Sequence, residues 1–264
     1  MAESFVLQFA PCFPATDAPT FANVPWDSRL FGFPFYELRC GEEHPSRIEA
    51  ELPQWLAQLS PGKPCLVYTR IEPLNAALSE ALARCGFYHI ETTIDLAFRL
   101  SEARLEAGWQ TDRLVLGTAD SDDLEEVKSL ARRTFATDRF HLDPHLSSEI
   151  ADERYVNWIS NAFAAGELLF TYRDRKSEKL IGFYHVRELG PGHVDLSLAG
   201  IDPAYQQFGI GPMMYRDVFR ACIDRGCEKA STRLALQNLD VINLYLGFGV
   251  QISNVQNTLH FYRM

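Results

Sequence analysis

No stretch of this 264-residue chain approaches the about 18–20 consecutive apolar residues that a membrane-crossing helix needs, so a helical membrane protein is excluded. The opening Met-Ala-Glu-Ser-Phe has neither the basic nor the apolar segment of a secretory leader, and a cytoplasmic location is expected. Six cysteines lie scattered (Cys12, Cys40, Cys65, Cys85, Cys222, Cys227) with no Cys-x-x-Cys pair. That pattern suits free thiols in a reducing compartment better than a disulfide framework. Positive charge is in deficit, with 25 Lys and Arg against 35 Asp and Glu and a formal net charge of −10. A nonspecific nucleic-acid binder needs a basic face and is not expected. The acidic balance does not exclude an anionic small ligand, because one local group of N–H donors can hold phosphate against the global field. His141 and His145 have a helical ligand spacing, but Pro144 interrupts it and no third ligand is evident, so no metal is expected.

What the chain does have is concentrated between Asp195 and Val250. The run Val194-Asp-Leu-Ser-Leu-Ala-Gly-Ile201 alternates like a strand with one buried face. Asp202-Pro203-Ala204-Tyr205 is a turn signal. Gln206-Gln-Phe-Gly-Ile-Gly-Pro212 follows, then an apolar-periodic helix expected from Met213 to about Asp224. A strand that ends in a glycine loop at a helix N-terminus points several backbone N–H groups at one volume, where the helix dipole favours an anion. Gly209 and Gly211 carry no Cβ and let backbone approach a bulky anion, and Pro212 suits a first helical turn.

Taken in order, residues 1–20 read as an irregular lead-in and the aromatic stretch Trp26 to Tyr36 as turn-rich. A strand is expected over Phe35–Leu38, a helix over Pro45–Leu59, a strand over Pro64–Ile71, a helix over Asn75–Cys85 and a strand over Ile90–Leu100. Leu105–Arg113 reads as a connection. Beyond it come a strand at Leu114, a helix from Ser121 with acidic residues in its first turn, a helix over 150–163 and a hairpin of Leu168–Arg173 with Leu180–Glu188. Strand Ala230–Leu236, helix Leu239–Leu246 and strand Thr258–Arg263 close the chain.

The chain repeats itself at a fixed interval. Thr69-Arg70 recurs as Thr232-Arg233, Asn75 as Asn238, Gly86 as Gly249, Leu96 as Leu259 and Phe98 as Phe261, each pair 163 residues apart. The expected strand–helix–strand order agrees in both copies. The first copy lacks the glycine loop and has Leu82 where the second has Tyr245.

The motifs of the second copy resemble those of the GCN5-related N-acetyltransferase (GNAT) superfamily. Its pyrophosphate loop, Gln/Arg-x-x-Gly-x-Gly/Ala, is matched by Gln206, Gly209 and Gly211. Its block Asn-x-x-Ala-x-x-x-Tyr-x-x-x-Gly-Phe is matched at Asn238, Tyr245 and Gly249, with Val241 for the alanine and Val250 for the phenylalanine. The resemblance implies an α/β fold with a mixed, mostly antiparallel sheet flanked by helices. In front of it, residues 1–108 read as a degenerate half unit that forms a wall of an acceptor cleft, and 109–264 as the catalytic domain. It also implies acetyl-CoA as co-substrate and direct transfer to a primary amine in a ternary complex. Backbone groups of Leu198, Ala199, Gly200 and Ile201 would pair with the pantetheine arm. Gln206, Gln207, Phe208, Gly209, Ile210 and Gly211 would hold the pyrophosphate, and Asn238 the arm. Asn238 equally suits a helix cap.

Three further stretches resemble the bacterial dTDP-fucosamine acetyltransferase group: Trp26-Asp27 with Phe31-Gly32, Phe135-Ala-x-x-Arg139-Phe140, and Tyr155-x-x-Trp158-Ile159-x-Asn161. Arg187-Glu188-Leu189 and the closing Tyr262-Arg263 fit too. This likeness implies a nucleotide-linked amino sugar as acceptor. Another small amine, a longer acyl donor and a CoA-binding regulator without turnover stay open, and so does a homodimer.

Acyl transfer from a thioester to an amine needs a neutral amine, donors for the developing oxyanion, aligned reactants and a proton for the departing thiolate. Tyr245, at the family's donor position, would supply that proton. A phenol is protonated at neutral pH and lies near a thiol in acidity. Glu188 and Asp195 stand at strand ends, where either could take the amine's proton through water, although water alone can serve. Asp27, Arg139, His141, Asp143 and Tyr155 are the polar groups expected at the acceptor.

Overall fold

A computed structural model describes residues 20–39, 45–101, 105, 112–206 and 208–264. The elements run β1 (Thr20–Asn23), α1 (Pro25–Phe31), β2 (Phe35–Arg39), α2 (Pro45–Gln58), β3 (Cys65–Ile71), α3 (Ala76–Arg84) and β4 (Tyr88–Arg99). There follow β5 (Leu114–Thr118), α4 (Leu124–Arg132), α5 (Arg139–Leu142), α6 (Ser148–Ala164), β6 (Leu168–Asp174), β7 (Leu180–Gly190) and β8 (His193–Ile201). A 3₁₀ turn at Pro203–Tyr205 leads to α7 (Ile210–Asp224), β9 (Lys229–Ala235), α8 (Leu239–Gly247) and β10 (Ile252–Arg263). The mixed, mostly antiparallel sheet with flanking helices is the architecture expected. Cys65, Cys85, Cys222 and Cys227 are free thiols, and burial pushes Cys222 up to about 12. Cys12, Cys40, most of the lead-in and most of the 105–113 connection lie outside the described residues.

The chain forms two compact units that do not follow one cut along the sequence. One comprises Ile94–Thr137 and Asp152–Asn254; the other comprises residues 20–93, Asp138–Ala151 and Val255–Met264. The strands of the first unit are ordered β4-β9-β8-β7-β6-β5, and those of the second β1-β2-β3-β10-β4. Each contains one internal parallel pair: β8 with β9, and β2 with β3. The pairs β1–β2, β3–β10, β5–β6, β6–β7 and β7–β8 are antiparallel.

Each unit is held by its own apolar faces. In the second, Leu38, Val67 and Leu259 of the strands meet Ile48, Leu52 and Leu56 of α2 and Leu78, Ala81 and Leu82 of α3. The opposite face packs Phe31, Phe35, Leu66 and Tyr68 on Phe140, Leu146 and Ala151. In the first, Val127, Leu130 and Ala131 of α4 pack with Tyr155 and Ile159 of α6 on Leu169, Leu180, Phe183 and Leu198. Each fully buried side chain of this size contributes about 1.5–3 kcal/mol.

Several boundaries differ from the sequence reading for identifiable reasons. Helix α1 occupies part of the stretch read as turns, with Pro25 in its first turn and Gly32 ending it at φ 77°. Helix α4 begins three residues after Ser121, because the Asp120 carboxylate accepts from the N–H groups of Asp122 and Asp123 and holds them in a turn. Helix α7 begins at Ile210 rather than Met213, with Gly209 as its cap. Strand β10 starts at Ile252, six residues earlier than expected, and β1 was not expected.

Candidate active site

The site in the first unit begins where two parallel strands stop pairing. Strands β8 and β9 share three rungs, His193 with Lys229, Val194 with Ala230 and Asp195 with Ser231, and the ladder ends there. At the next residue the Thr232 hydroxyl donates to the Leu196 carbonyl at 2.8 Å, closing the fork. On its other edge β8 stays paired to β7 through Ile201. The backbone groups of Leu198–Ile201 that face away from β7 therefore have no strand beside them. Such an edge is a template for another extended chain of amides.

At the mouth of the fork β8 carries a bulge. His185 pairs with Leu198 and Val186 with Leu196, so Ser197 is an extra residue outside the ladder. Its hydroxyl donates to the Asp195 carboxylate at 2.6 Å, and Arg187 donates to the same oxygen at 3.1 Å. Gly200 is required by contact: a Cβ there would lie 2.5 Å from the Phe183 ring.

Past the strand, the Asp202 side chain accepts from the Ala204 N–H and receives Arg133 at 3.1 Å. Gly209 takes φ 72°, a left-handed conformation that glycine adopts without strain, and turns the chain into α7. Among the described residues, no side-chain cap is made at the N-cap position of this 15-residue helix, which Gly209 occupies. Its first N–H groups are thus open to an anion. The Gln206 side chain turns back to the Ile201 carbonyl, 3.2 Å away, and Phe208 is exposed. Gln207 lies outside the described residues.

Helix α8 supplies the other wall. Asn238 stands at its N-cap position with φ −84° and ψ 63°, yet its side chain makes no capping hydrogen bond. Its counterpart Asn75 has nearly the same backbone angles and accepts from the Leu78 N–H at 3.1 Å. Tyr245 is buried among Phe98, Tyr215 and Phe219. Its hydroxyl lies 2.8 Å from that of Tyr184, and the Thr232 hydroxyl also acts on it. Burial raises Tyr245 above the ordinary phenol range, and the hydrogen bonds with Tyr184 and Thr232 oppose that only in part. The phenol is a protonated donor at neutral pH. Asp195 acts on Tyr245 electrostatically, whereas Glu188 is exposed at the far end of β7, opposite Val194.

The residues expected at the acceptor are divided between the units. Asp27, Arg139 and Asp143 come together in the second unit, with partners that the sequence did not announce. Arg139 lies 3.8 Å from Asp27 and over the Tyr68 ring at 3.9 Å, and it donates to His260 Nε2 at 3.4 Å. Its backbone N–H donates to Glu91. His260 Nδ1 meets Asp143 at 2.6 Å, and Tyr88 donates to Asp143 at 2.9 Å. Burial lowers His260 to about 4 against the effect of its own hydrogen bond to Asp143, so the imidazole is neutral at pH 7. Burial alone would raise Asp143, but hydrogen bonds from His260, the His145 N–H and Tyr88 bring it to about 2. His141 is turned onto Asp138. Tyr155 belongs to the first unit, where its ring stacks on Phe135 at 4.1 Å within the core.

Residues 125–249, a little under half of the chain, match the model of the Acetyltransferase (GNAT) family. The chain carries a GNAT acetyltransferase domain. The GNAT acetyltransferase family uses acetyl-CoA as co-substrate, and the chain is an acyl-CoA N-acyltransferase in these general terms. Solved structures share the fold. A GCN5-related N-acetyltransferase from Sphaerobacter thermophilus is 14% identical, with 93% of this chain and 76% of that one covered at a TM-score of 0.67. One from Kribbella flavida is 12% identical, covering 96% and 90% at 0.62. A tandem GNAT protein from the clavulanic acid biosynthesis pathway is 11% identical, covering 92% and 78% at 0.58. No curated protein matches. Among the described residues no group of three or more His, Cys, Asp or Glu is placed to hold a metal ion, and no helix is long and apolar enough to cross a membrane. The GNAT domain fits acyl-CoA on its own features: an open strand edge, an uncapped helix N-terminus behind a left-handed glycine, and an asparagine released from capping.

Proposed function

We propose that the GNAT domain transfers an acetyl group from acetyl-CoA to the primary amine of a nucleotide-linked amino sugar, by direct attack in a ternary complex. The observation that carries the acyl-CoA part is the three-rung β8–β9 ladder, which leaves the amides of Leu198–Ile201 unpaired beside the Gly209 turn. Acyl-CoA brings an activated acyl carbon and a thiolate leaving group. The open edge binds its amide arm, the first turn of α7 its phosphates, and Asn238 the arm between them. N–H groups freed at the bulge face the developing oxyanion, the charge such donors stabilise most. Tyr245 gives its proton to the sulfur and takes back the one that nitrogen sheds as the N–C bond forms. Of the two protons an ammonium loses, one thus ends on sulfur and the other leaves to a base.

The sugar acceptor rests on the resemblance at Trp26-Asp27, Phe135 to Phe140 and Tyr155 to Asn161. Residues 1–108 are read as a degenerate half unit and 109–264 as the catalytic one. In support, apart from α1, which has no counterpart, β1-β2-α2-β3-α3-β4 follows the element order of β7-β8-α7-β9-α8-β10, and α3 falls on α8 residue for residue at the 163-residue interval. The fold likeness to a tandem GNAT protein supports the same reading. The test is thiol release from acetyl-CoA against dTDP-4-amino-4,6-dideoxygalactose, amino acids and polyamines. Turnover confined to the nucleotide sugar is the expected result. Turnover of other amines alone replaces the acceptor and keeps the chemistry, and CoA binding without turnover of any amine overturns the enzyme reading in favour of a regulator.

A further inference from the structure

The acyl-CoA reading leaves the amine's first proton without a named path. Glu188 sits at the closed end of the β8–β9 fork, opposite Val194, and is exposed. Asp195 is at the last rung and is half-buried, but its carboxylate is turned to its own strand and to Arg187. Between Asp195 and the open edge at Leu198–Ile201, β8 carries Ser197, whose hydroxyl donates to this carboxylate. The bulge removes Ser197 from the ladder at the point where the fork opens. Its single proton is committed to Asp195 Oδ2 at 2.6 Å. A hydroxyl that donates once still has two lone pairs to accept with.

We propose that Ser197 is a catalytic proton relay, which accepts a proton from the substrate ammonium while passing its own to Asp195. The inference rests on the acyl-CoA reading of this site and replaces the water there with a side chain. The step balances. The ammonium N–H bond breaks and leaves its electron pair on nitrogen, and that proton bonds to Ser197 Oγ. The Ser197 O–H bond breaks and its proton bonds to Asp195 Oδ2, leaving a neutral amine, a neutral serine and a carboxylic acid. Asp195 returns the proton to water after the product leaves. The charged and titratable groups around the pair fit this role. Arg187 on β7 holds the carboxylate from one side, and Tyr245 on α8 feels its charge from another. The proton acceptor and the proton donor of the reaction are thereby electrostatically linked across one fork.

The experiment measures kcat and KM for acetyl-CoA with dTDP-4-amino-4,6-dideoxygalactose, from pH 6 to pH 10, for wild type, Ser197→Ala, Ser197→Thr, Asp195→Asn and the Ser197→Ala/Asp195→Asn double variant. CoA affinity is followed separately by calorimetry. At pH 7 Ser197→Ala is expected to lower kcat about 10- to 100-fold, with KM for acetyl-CoA and CoA affinity within about twofold of wild type. The deficit shrinks as pH rises and solvent strips the amine, Ser197→Thr retains most of the rate, and the double variant is no slower than the worse single one. A deficit equal at every pH, or losses that multiply in the double variant, overturns the relay. So does a Ser197→Ala enzyme within about twofold of wild type throughout. Wild-type enzyme that binds CoA yet acetylates neither the sugar nor any amine overturns the acyl-transfer reading and the relay together.

Discussion

Thr69 and Thr232 occupy the same place in the two copies of the repeat, and their hydroxyls have opposite fates. Thr232 donates to the Leu196 carbonyl, whereas Thr69 is fully buried with no hydrogen-bond partner. Where copy two has Tyr245, copy one has Leu82, which supplies no hydroxyl to meet Thr69. A buried hydroxyl without a partner costs about 1–3 kcal/mol. Thr69→Val should therefore leave urea stability unchanged or raise it by about 1 kcal/mol, while Thr232→Val should lower it by a similar amount and lower kcat. Tyr245→Phe should cut kcat by about 10- to 100-fold without weakening CoA binding, read by turnover and calorimetry together. The buried network of the second unit makes a prediction about acid. His260 is neutral when folded and charges near pH 6.5 when unfolded, so the unfolded chain binds more protons between pH 6.5 and about 4, and stability falls as pH drops through that range. Asp143 repeats the loss between about 3.8 and about 2. Each is worth on the order of a few kcal/mol. Glu91, which burial raises, acts in the opposite sense above its ordinary range. Urea titrations at stepped pH should show both windows, and His260→Gln should remove the upper one.

Among the elements, the asparagine caps show what a sequence discloses and what it withholds. Asn75 and Asn238 both mark the starts of helices, and α3 and α8 begin where expected. Only the side-chain bonds reveal that one asparagine is spent on its helix and the other is not. Asn75→Ala should cost about 1 kcal/mol of stability with no effect on CoA. Asn238→Ala should be close to neutral in stability and should weaken CoA binding, a reversal that melting and calorimetry would resolve in one pair of variants. Gly200→Ala tests the strand itself: the new methyl would press on Phe183, and a loss of about 1–3 kcal/mol is expected. Elements with strong periodicity and terminal signals were legible in the sequence, among them α2, α6 and the β6–β7 hairpin. Helix α1 was hidden because its aromatic residues carry no clean period and its length is seven residues. The bulge at Ser197 was not readable, since alternation along Val194–Ile201 looks the same with or without an extra residue. The charged network was invisible for another reason. Arg139 and Asp143 stand close together and were expected at the acceptor, but Glu91 and His260 are remote from them in sequence, and nothing local to His260 distinguishes it from a strand residue.

At the scale of the whole molecule, the repeat and the compact units do not coincide. In the unit that contains β3, the strand at its side is β10, and in the unit that contains β9 it is β4. Each copy thus lends its closing strand to the neighbour of the other copy's parallel pair. Asn257 to Arg263 pair with Ile71 to Cys65, almost two hundred residues back along the chain. During synthesis, then, the earlier unit emerges first and cannot be finished. Its sheet waits with an unpaired β3 edge until residues 252–263 leave the ribosome, a pairing of high contact order and a slow one. A chain interrupted anywhere before Ile252 would leave its oldest part incomplete and its newest part nearly whole.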